Sequence, residues 1–349
     1  MNGSRRSWIA LGLVAALAAV AVVAGTGSAA AQEITLKLSH FIPPAHNHHV
    51  NVLVPWAEDV KKRSGGKVQI TIFPGAQLCK PTQQYECARD GIADIAWGVT
   101  GWTPNRFPLS SVIELPYMHR TAAVGSQMVA DLFDKYLKRE YDDVHVLTMN
   151  VHPAGHIHTH SKLIRTLDDF KGMKVRTPTA VVGDILDALG ATKVGMPATA
   201  IYESMSQKTI DGFGMPFEAL PPFRLIEVSR FHTEVSMYTT AFTLFMNKKK
   251  YESLPPEARK ALDEASARES GYWRRIGESW DRAEIVGRKA VADKKNEVYV
   301  LPREERRRWR EAVRPLDDKW AAALEAKGLP GKALLQEARA LSAKYGEAE

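Results

Sequence analysis

Cysteine is almost absent: the 349 residues carry only Cys79 and Cys87. That scarcity excludes a disulfide-stapled miniature domain and a four-cysteine metal centre. After the first 25 residues no second apolar run is long enough to span a bilayer, which excludes a polytopic membrane protein. Signatures of common enzymes are missing too. The chain has no Gly-x-Ser-x-Gly elbow, no Gly-x-x-x-x-Gly-Lys-Ser/Thr phosphate loop and no Gly-x-Gly-x-x-Gly fingerprint after a strand. Low-complexity linkers are absent as well. The formal net charge is +7, yet basic residues alternate with acids along the C-terminal third instead of forming tracts, so a nucleic-acid partner is not indicated.

What is present begins with an export signal. Arg5 and Arg6 precede an apolar run from Trp8 to Gly25, and small residues ending Ala29-Ala30-Ala31 follow. Residues 1–31 are expected to be removed by cleavage before Gln32, leaving a soluble chain outside the cytoplasm with net charge +5. An uncleaved anchor is the alternative reading of the same run. In an oxidising compartment Cys79 and Cys87 can pair. On one helix they would stand about 12 Å apart, too far to bond. Pro81 places Cys79 in the loop before that helix, so a disulfide and two buried thiols both stay open.

From Ile34 the pattern reads strand (34–40), helix (47–64), strand (67–73), helix (82–90) and strand (92–99). The order recurs as strand (173–177), helix (180–189), strand (192–196), helix (199–208) and strand (210–215). Two βαβαβ halves predict two α/β lobes, with a ligand cleft beyond the carboxyl ends of their strands. An apolar strand over 238–246 is expected to return to the first lobe. After Leu254-Pro255-Pro256, a proline-free helical stretch over about 257–294 predicts a long helix bracing both lobes. The expected division is 32–152 plus about 240–275 for the first lobe, and 153–239 plus about 276–349 for the second.

Several segments, taken together and in order, resemble the extracytoplasmic solute-binding proteins of tripartite ATP-independent periplasmic transporters. They are Leu36-Lys37-Leu38-Ser39-His40, Phe73-Pro74-Gly75-Ala76-Gln77-Leu78, Arg89-Asp90-Gly91-Ile92-Ala93-Asp94-Ile95, Glu114-Leu115-Pro116-Tyr117, Lys171-Gly172-Met173-Lys174-Val175-Arg176 and Thr209-Ile210-Asp211-Gly212. The resemblance implies a two-lobed periplasmic binding fold with a long spine helix. It also implies a receptor that closes on an organic acid and hands it to a small and a large membrane subunit, with uptake driven by an ion gradient, no catalysis and no cofactor.

Arg176 ends its strand just before Pro178 and matches the carboxylate-binding arginine of that family. A guanidinium is planar, permanently charged and able to hold both carboxylate oxygens. An ion pair with Asp184 or Asp211 is the competing role. His156 falls where sialic-acid binders place a second arginine, which argues against such a ligand. Phe213, Met215 and Phe217 make the following wall apolar, and His40, Phe41, Thr100 and Trp102 stand at strand ends of the opposite lobe. One clamp among aromatic walls predicts an aromatic or hydrophobic monocarboxylate.

Two alternatives accompany this reading. His152, His156, His158 and His160 can hold a zinc ion if three of them share a strand face, which would make the chain a secreted hydrolase. A binding protein of an ABC importer would share the two lobes and the signal. Another histidine group, His46, His48 and His49, follows Pro43-Pro44, where it can line the cleft mouth or lie on the surface.

Overall fold

The structure, a computed structural model, describes residues 33–346. The predicted signal segment and its cleavage site lie outside the described residues. Eleven strands form among these residues: β1 (Ile34–His40), β2 (Val68–Phe73), β3 (Ile95–Val99), β4 (Val144–Val151), β5 (His156–Thr159), β6 (Lys174–Thr177), β7 (Thr192–Gly195), β8 (Gly212–Met215), β9 (Phe231–Glu234), β10 (Ala241–Asn247) and β11 (Glu297–Val300). They build two sheets, ordered β2-β1-β3-β10-β4 and β11-β9-β5-β8-β6-β7.

Each sheet has a parallel core made by one of the βαβαβ halves. β1 runs parallel to β2 and β3 in the first, and β6 runs parallel to β7 and β8 in the second. The crossover helices are α1 (Val54–Arg63), α2 (Gln84–Arg89), α5 (Ala180–Ala188) and α6 (Ile201–Ser206), with α3 (Ala122–Leu132) and α4 (Leu167–Phe170) between the halves. β10 comes from after the second half and inserts antiparallel between β3 and β4, as its apolar sequence predicted. The chain therefore passes between the lobes repeatedly, and each carries its own core of aliphatic and aromatic side chains.

Local sequence explains the element boundaries. Leu36 and Leu38 alternate into the core while Lys37 faces out, so β1 is a half-buried strand. Gly65 and Gly66 take left-handed φ angles of 61° and 83° in the tight turn between α1 and β2. Thr179 accepts a bond from the Val182 N–H and caps α5, and Pro256 opens α8 (Pro256–Ala265) at its first turn after α7 (Lys248–Ser253). Cys79 lies in the loop and Cys87 in α2, with 6.1 Å between their Cα atoms, and the two form a disulfide. Closing so short a loop is worth about 2–3 kcal/mol.

Two expectations need correction. The stretch 257–294 is not one helix: α8 is followed by a break and then by α9 (Tyr272–Asp293), whose 22 residues span about 33 Å. Gly271, at φ 75°, turns the chain between them. α9 alone is the brace. It packs on α3 and β4 of the first lobe and on the turn Phe217–Ala219 of the second. Gly277 and Gly287 make this possible, because a Cβ there would come within 2.3 Å of the Ala122 oxygen and 2.1 Å of the Phe217 oxygen.

The C-terminal tail is also divided between lobes and does not belong wholly to the second. α10 (Arg303–Val313) lies on α4 and α5, and Trp309 fills the second core. Farther on, α11 (Pro315–Glu325) and α12 (Gly331–Lys344) send Leu324, Leu334 and Ala338 into the first. Among the described residues no helix is long and apolar enough to cross a membrane.

Candidate ligand site

Where the two sheets face each other, a narrow cavity opens between the lobes. Phe41, from just past β1, and Trp97 and Val99 of β3 contribute to its first-lobe wall, with Phe242 of β10 and Trp102. The rings interlock. Trp97 stacks on Phe242 at 4.6 Å and on Phe41 at 5.4 Å, and Trp102 meets Phe41 edge-on at 4.8 Å. α9 adds Trp280, 5.3 Å from Phe242, its indole N–H donating to His48 Nδ1 at 3.0 Å. Such pairs add about 0.5–1.5 kcal/mol each beyond burial, so this wall is pre-formed and rigid.

The second lobe supplies the charge. Arg176 is buried, with Nε donating to the Met196 carbonyl at 2.9 Å, and Nη1 to the Gly214 carbonyl at 3.1 Å and to Met215 Sδ at 3.2 Å. These contacts orient the side chain without neutralising it. Asp184 pairs with Lys193, and Asp211 accepts from the Lys174 N–H, so neither is the partner of Arg176. Burial lowers the guanidinium pKa to about 10. A cation held out of water without an acid nearby is costly, and an anion entering the cavity relieves that cost.

Hydroxyl groups collect around the same end. Thr240 lines the cavity, and its Oγ1 is buried with no hydrogen-bond partner in the protein. The Tyr238 hydroxyl is similarly unpartnered and lies against Gly214, close enough that a Cβ on Gly214 would stand 2.8 Å from it. His152, with a pKa lowered to about 3 mainly by burial, stands beside them as a neutral side chain.

Of the nine residues expected at the site, Arg176, Phe41, Trp102 and Met215 border this cavity and five do not. His156 is buried under α9, where Arg288 Nη2 approaches at 3.2 Å and Glu284 at 3.7 Å. His40 pairs with His49 at 2.8 Å, and Thr100 with Thr243 at 2.8 Å, both behind the wall. Phe213 and Phe217 are core residues of the second lobe, and Phe217 carries the Arg288 guanidinium over its ring at 4.4 Å. Strand-end logic names the right loops but cannot say which side chains turn inward.

The sequence reading missed Trp97, Phe242 and Trp280, which reach the cavity from the inner face of a strand, a returning strand and the brace. It also left His46 undecided and passed over Glu218; both are buried and line the cavity. The four-histidine segment does not converge. His152 faces the cavity, His158 bonds His232 and the Met215 carbonyl, and His160 is exposed beyond the end of β5. Among the described residues no group of three His, Cys, Asp or Glu side chains is placed to hold a metal ion.

Residues 38–323 match the model of the bacterial extracellular solute-binding protein family 7. The chain belongs to that family. Solved structures of relatives overlay on it closely. A TRAP solute-binding protein from Rhodoferax ferrireducens, in complex with copurified benzoate, is 36% identical; the match covers 90% of this chain and 99% of that one, with a TM-score of 0.86. A marine metagenome TRAP solute-binding protein from an unidentified microbe, specific for aromatic acids and co-crystallised with 3-hydroxybenzoate, gives the same identity, coverage and score. A third, from Bordetella bronchiseptica with bound mandelate, is 28% identical over 89% of this chain and 99% of its own, with a TM-score of 0.83. Family 7 membership makes this chain a TRAP solute-binding receptor with the two-lobed α/β fold, and sets aside the ABC-type alternative.

Proposed function

We propose that this family 7 receptor captures an aromatic monocarboxylate in the periplasm, after loss of residues 1–31, and delivers it to the small and large membrane subunits of a TRAP transporter. The observation that carries the ligand assignment is a single buried guanidinium without a counter-ion, set at one end of an aromatic-walled cavity. Arg176 takes the carboxylate, with Thr240 and Tyr238 as neighbouring hydroxyl donors. The ring lies among Phe41, Trp97, Trp102 and Phe242. A second carboxylate would find no second cation in this wall, which disfavours dicarboxylates. The aromatic acids bound by relatives at 36% and 28% identity support the same class. Binding and closure are the whole task of this subunit, with no bond made or broken.

A thermal-shift screen of carboxylic acids tests the assignment. A ligand that binds only the folded chain adds about 2.7 kcal/mol at a hundredfold excess over Kd, which is easily read as a rise in Tm. Benzoate-like acids are expected to raise Tm. Hits confined to small dicarboxylates or sugar acids would overturn the aromatic reading and leave the fold intact.

A further inference from the structure

We propose that Glu218 and His46 form a second recognition pole of the cavity, one that takes a hydroxyl on the ligand's ring, so that hydroxylated aromatic monocarboxylates are preferred over unsubstituted ones. This inference rests on the aromatic-carboxylate reading and deepens it.

Glu218 sits in the turn Phe217–Ala219, is 4% exposed and lines the cavity. Its Oε2 has no hydrogen-bond partner in the protein. The turn is pinned from behind, because the Glu218 N–H donates to Glu284 Oε2 at 3.0 Å and Gly287 packs against the Phe217 carbonyl. The carboxyl group is therefore held in place at the cavity wall with hydrogen-bonding capacity unused. A buried carboxyl oxygen without a partner costs free energy, which a ligand of matching chemistry recovers.

His46 faces it from the first lobe. Its Nδ1 accepts the His48 N–H at 3.1 Å, so the ring proton is on Nε2. Trp280, at 5.3 Å, and Phe223, at 5.7 Å, hold the imidazole edge-on. Nε2 stands 3.6 Å from Glu218 Oε2, too far for a direct hydrogen bond. One oxygen placed against both atoms completes the pair: it accepts from Nε2–H and gives its own proton to the carboxyl oxygen. A hydroxyl carries that combination, whereas a ring C–H or a halogen does not.

The pole lies apart from the clamp. Arg176 is anchored to Met196, Gly214 and Met215, while Glu218 neighbours His46 and Glu284, and no ion pair joins Arg176 to Glu218. Burial, reinforced by Glu284, pushes the Glu218 carboxyl pKa well up, and burial lowers that of His46 to about 3. Both shifts favour the uncharged form of each group, which lessens any repulsion of the carboxylate at Arg176. A neutral carboxyl group still offers one acceptor and one donor oxygen, so a hydroxyl matches it in either state.

Calorimetric titration of the full chain lacking its signal, with benzoate, 3-hydroxybenzoate and 4-hydroxybenzoate, tests the proposal. The wild type is expected to favour at least one hydroxybenzoate over benzoate by about tenfold or more. In Glu218→Leu and in His46→Leu that ratio should collapse to near one, while Glu218→Gln, which keeps a donor and an acceptor, should retain part of it. The two leucine variants lie on different lobes, so misfolding of one leaves the other to decide. A wild-type ratio near one, or a ratio unchanged in both leucine variants, overturns this inference alone. Failure of every aromatic acid to bind the wild type removes the parent reading together with it.

Discussion

Trp102, in the turn after β3, donates its indole N–H across 2.9 Å to the carbonyl oxygen of Pro178, just beyond β6. A second tie runs beside it. Thr179 Oγ1 donates to Glu114 Oε2 at 2.7 Å, and the other Glu114 oxygen accepts from the Ala241 N–H at 3.1 Å. Both contacts join one lobe to the other, and the Trp102–Pro178 bond latches them at the cavity wall.

Trp102→Phe keeps an aromatic ring beside Phe41 but removes the donor. A neutral hydrogen bond is worth about 0.5–1.5 kcal/mol, so ligand dissociation is expected to accelerate by roughly two- to tenfold. Stopped-flow displacement of a bound aromatic acid measures this. An unchanged off-rate would mean the latch contributes nothing to closure.

Arg176→Met retains bulk while deleting the charge. Affinity for aromatic carboxylates should fall by about a hundredfold or more, since a buried charge pair is worth several kcal/mol when one partner is removed. The ligand-free protein should nevertheless melt no lower than wild type, because an uncompensated buried cation is lost with the side chain. A clear drop in ligand-free Tm would assign the arginine a structural role instead.

The pH dependence follows from opposed groups. His40, His46, His48, His49, His119, His152, His158 and His232 all have lowered pKa values, burial being the largest cause in each. Below about 6.5 the unfolded chain binds protons that these native histidines refuse, so stability rises with pH up to that point. Glu114 and Glu140, raised to about 7 mainly by burial, act in the other direction, as do Glu218 and Asp317, which burial also raises. They hold protons in the native state that the unfolded chain has already released, so their contribution declines as pH climbs from about 4.5 towards 7. Eight histidines outweigh four acids. Tm should therefore climb from pH 5 to about 6.5 and then decline gently, and a Tm at pH 5 equal to that at 6.5 would contradict the balance.

Gly277→Ala and Gly287→Ala test the brace. Each added methyl meets backbone that cannot swing away, with overpacking costs of typically 1–3 kcal/mol. Urea unfolding should show both losses. Gly287→Ala should in addition weaken ligand binding, because it displaces the turn carrying Glu218.

Much of this architecture is legible in the sequence. β1 runs over Ile34–His40 as its alternation predicts, and Arg176 stands one residue from the end of β6, at the cleft. Register and periodicity are local properties, and they were sufficient there. The break in the brace was missed because no proline marks it; Gly271 marks it instead, a weaker signal inside an amphipathic stretch. The cavity wall was only half visible. Trp97, Phe242 and Trp280 come together from a strand of the first half, a returning strand 145 positions later and the brace 38 positions beyond that, and no local pattern encodes that convergence. His156 failed for the same reason, since what covers it is Arg288 on a helix far along the chain.

The distribution of chemistry across the cleft has a kinetic meaning. The oily face, with Phe41, Trp97, Trp102 and Phe242, belongs to one lobe, and the lone guanidinium of Arg176 belongs to the other. Neither half alone can tell a correct solute from a common one: the first would accept any flat hydrocarbon, the second any small anion. Only a molecule that is both at once gives each half a reason to stay, so shutting the jaws acts as a coincidence detector for amphiphilic acids.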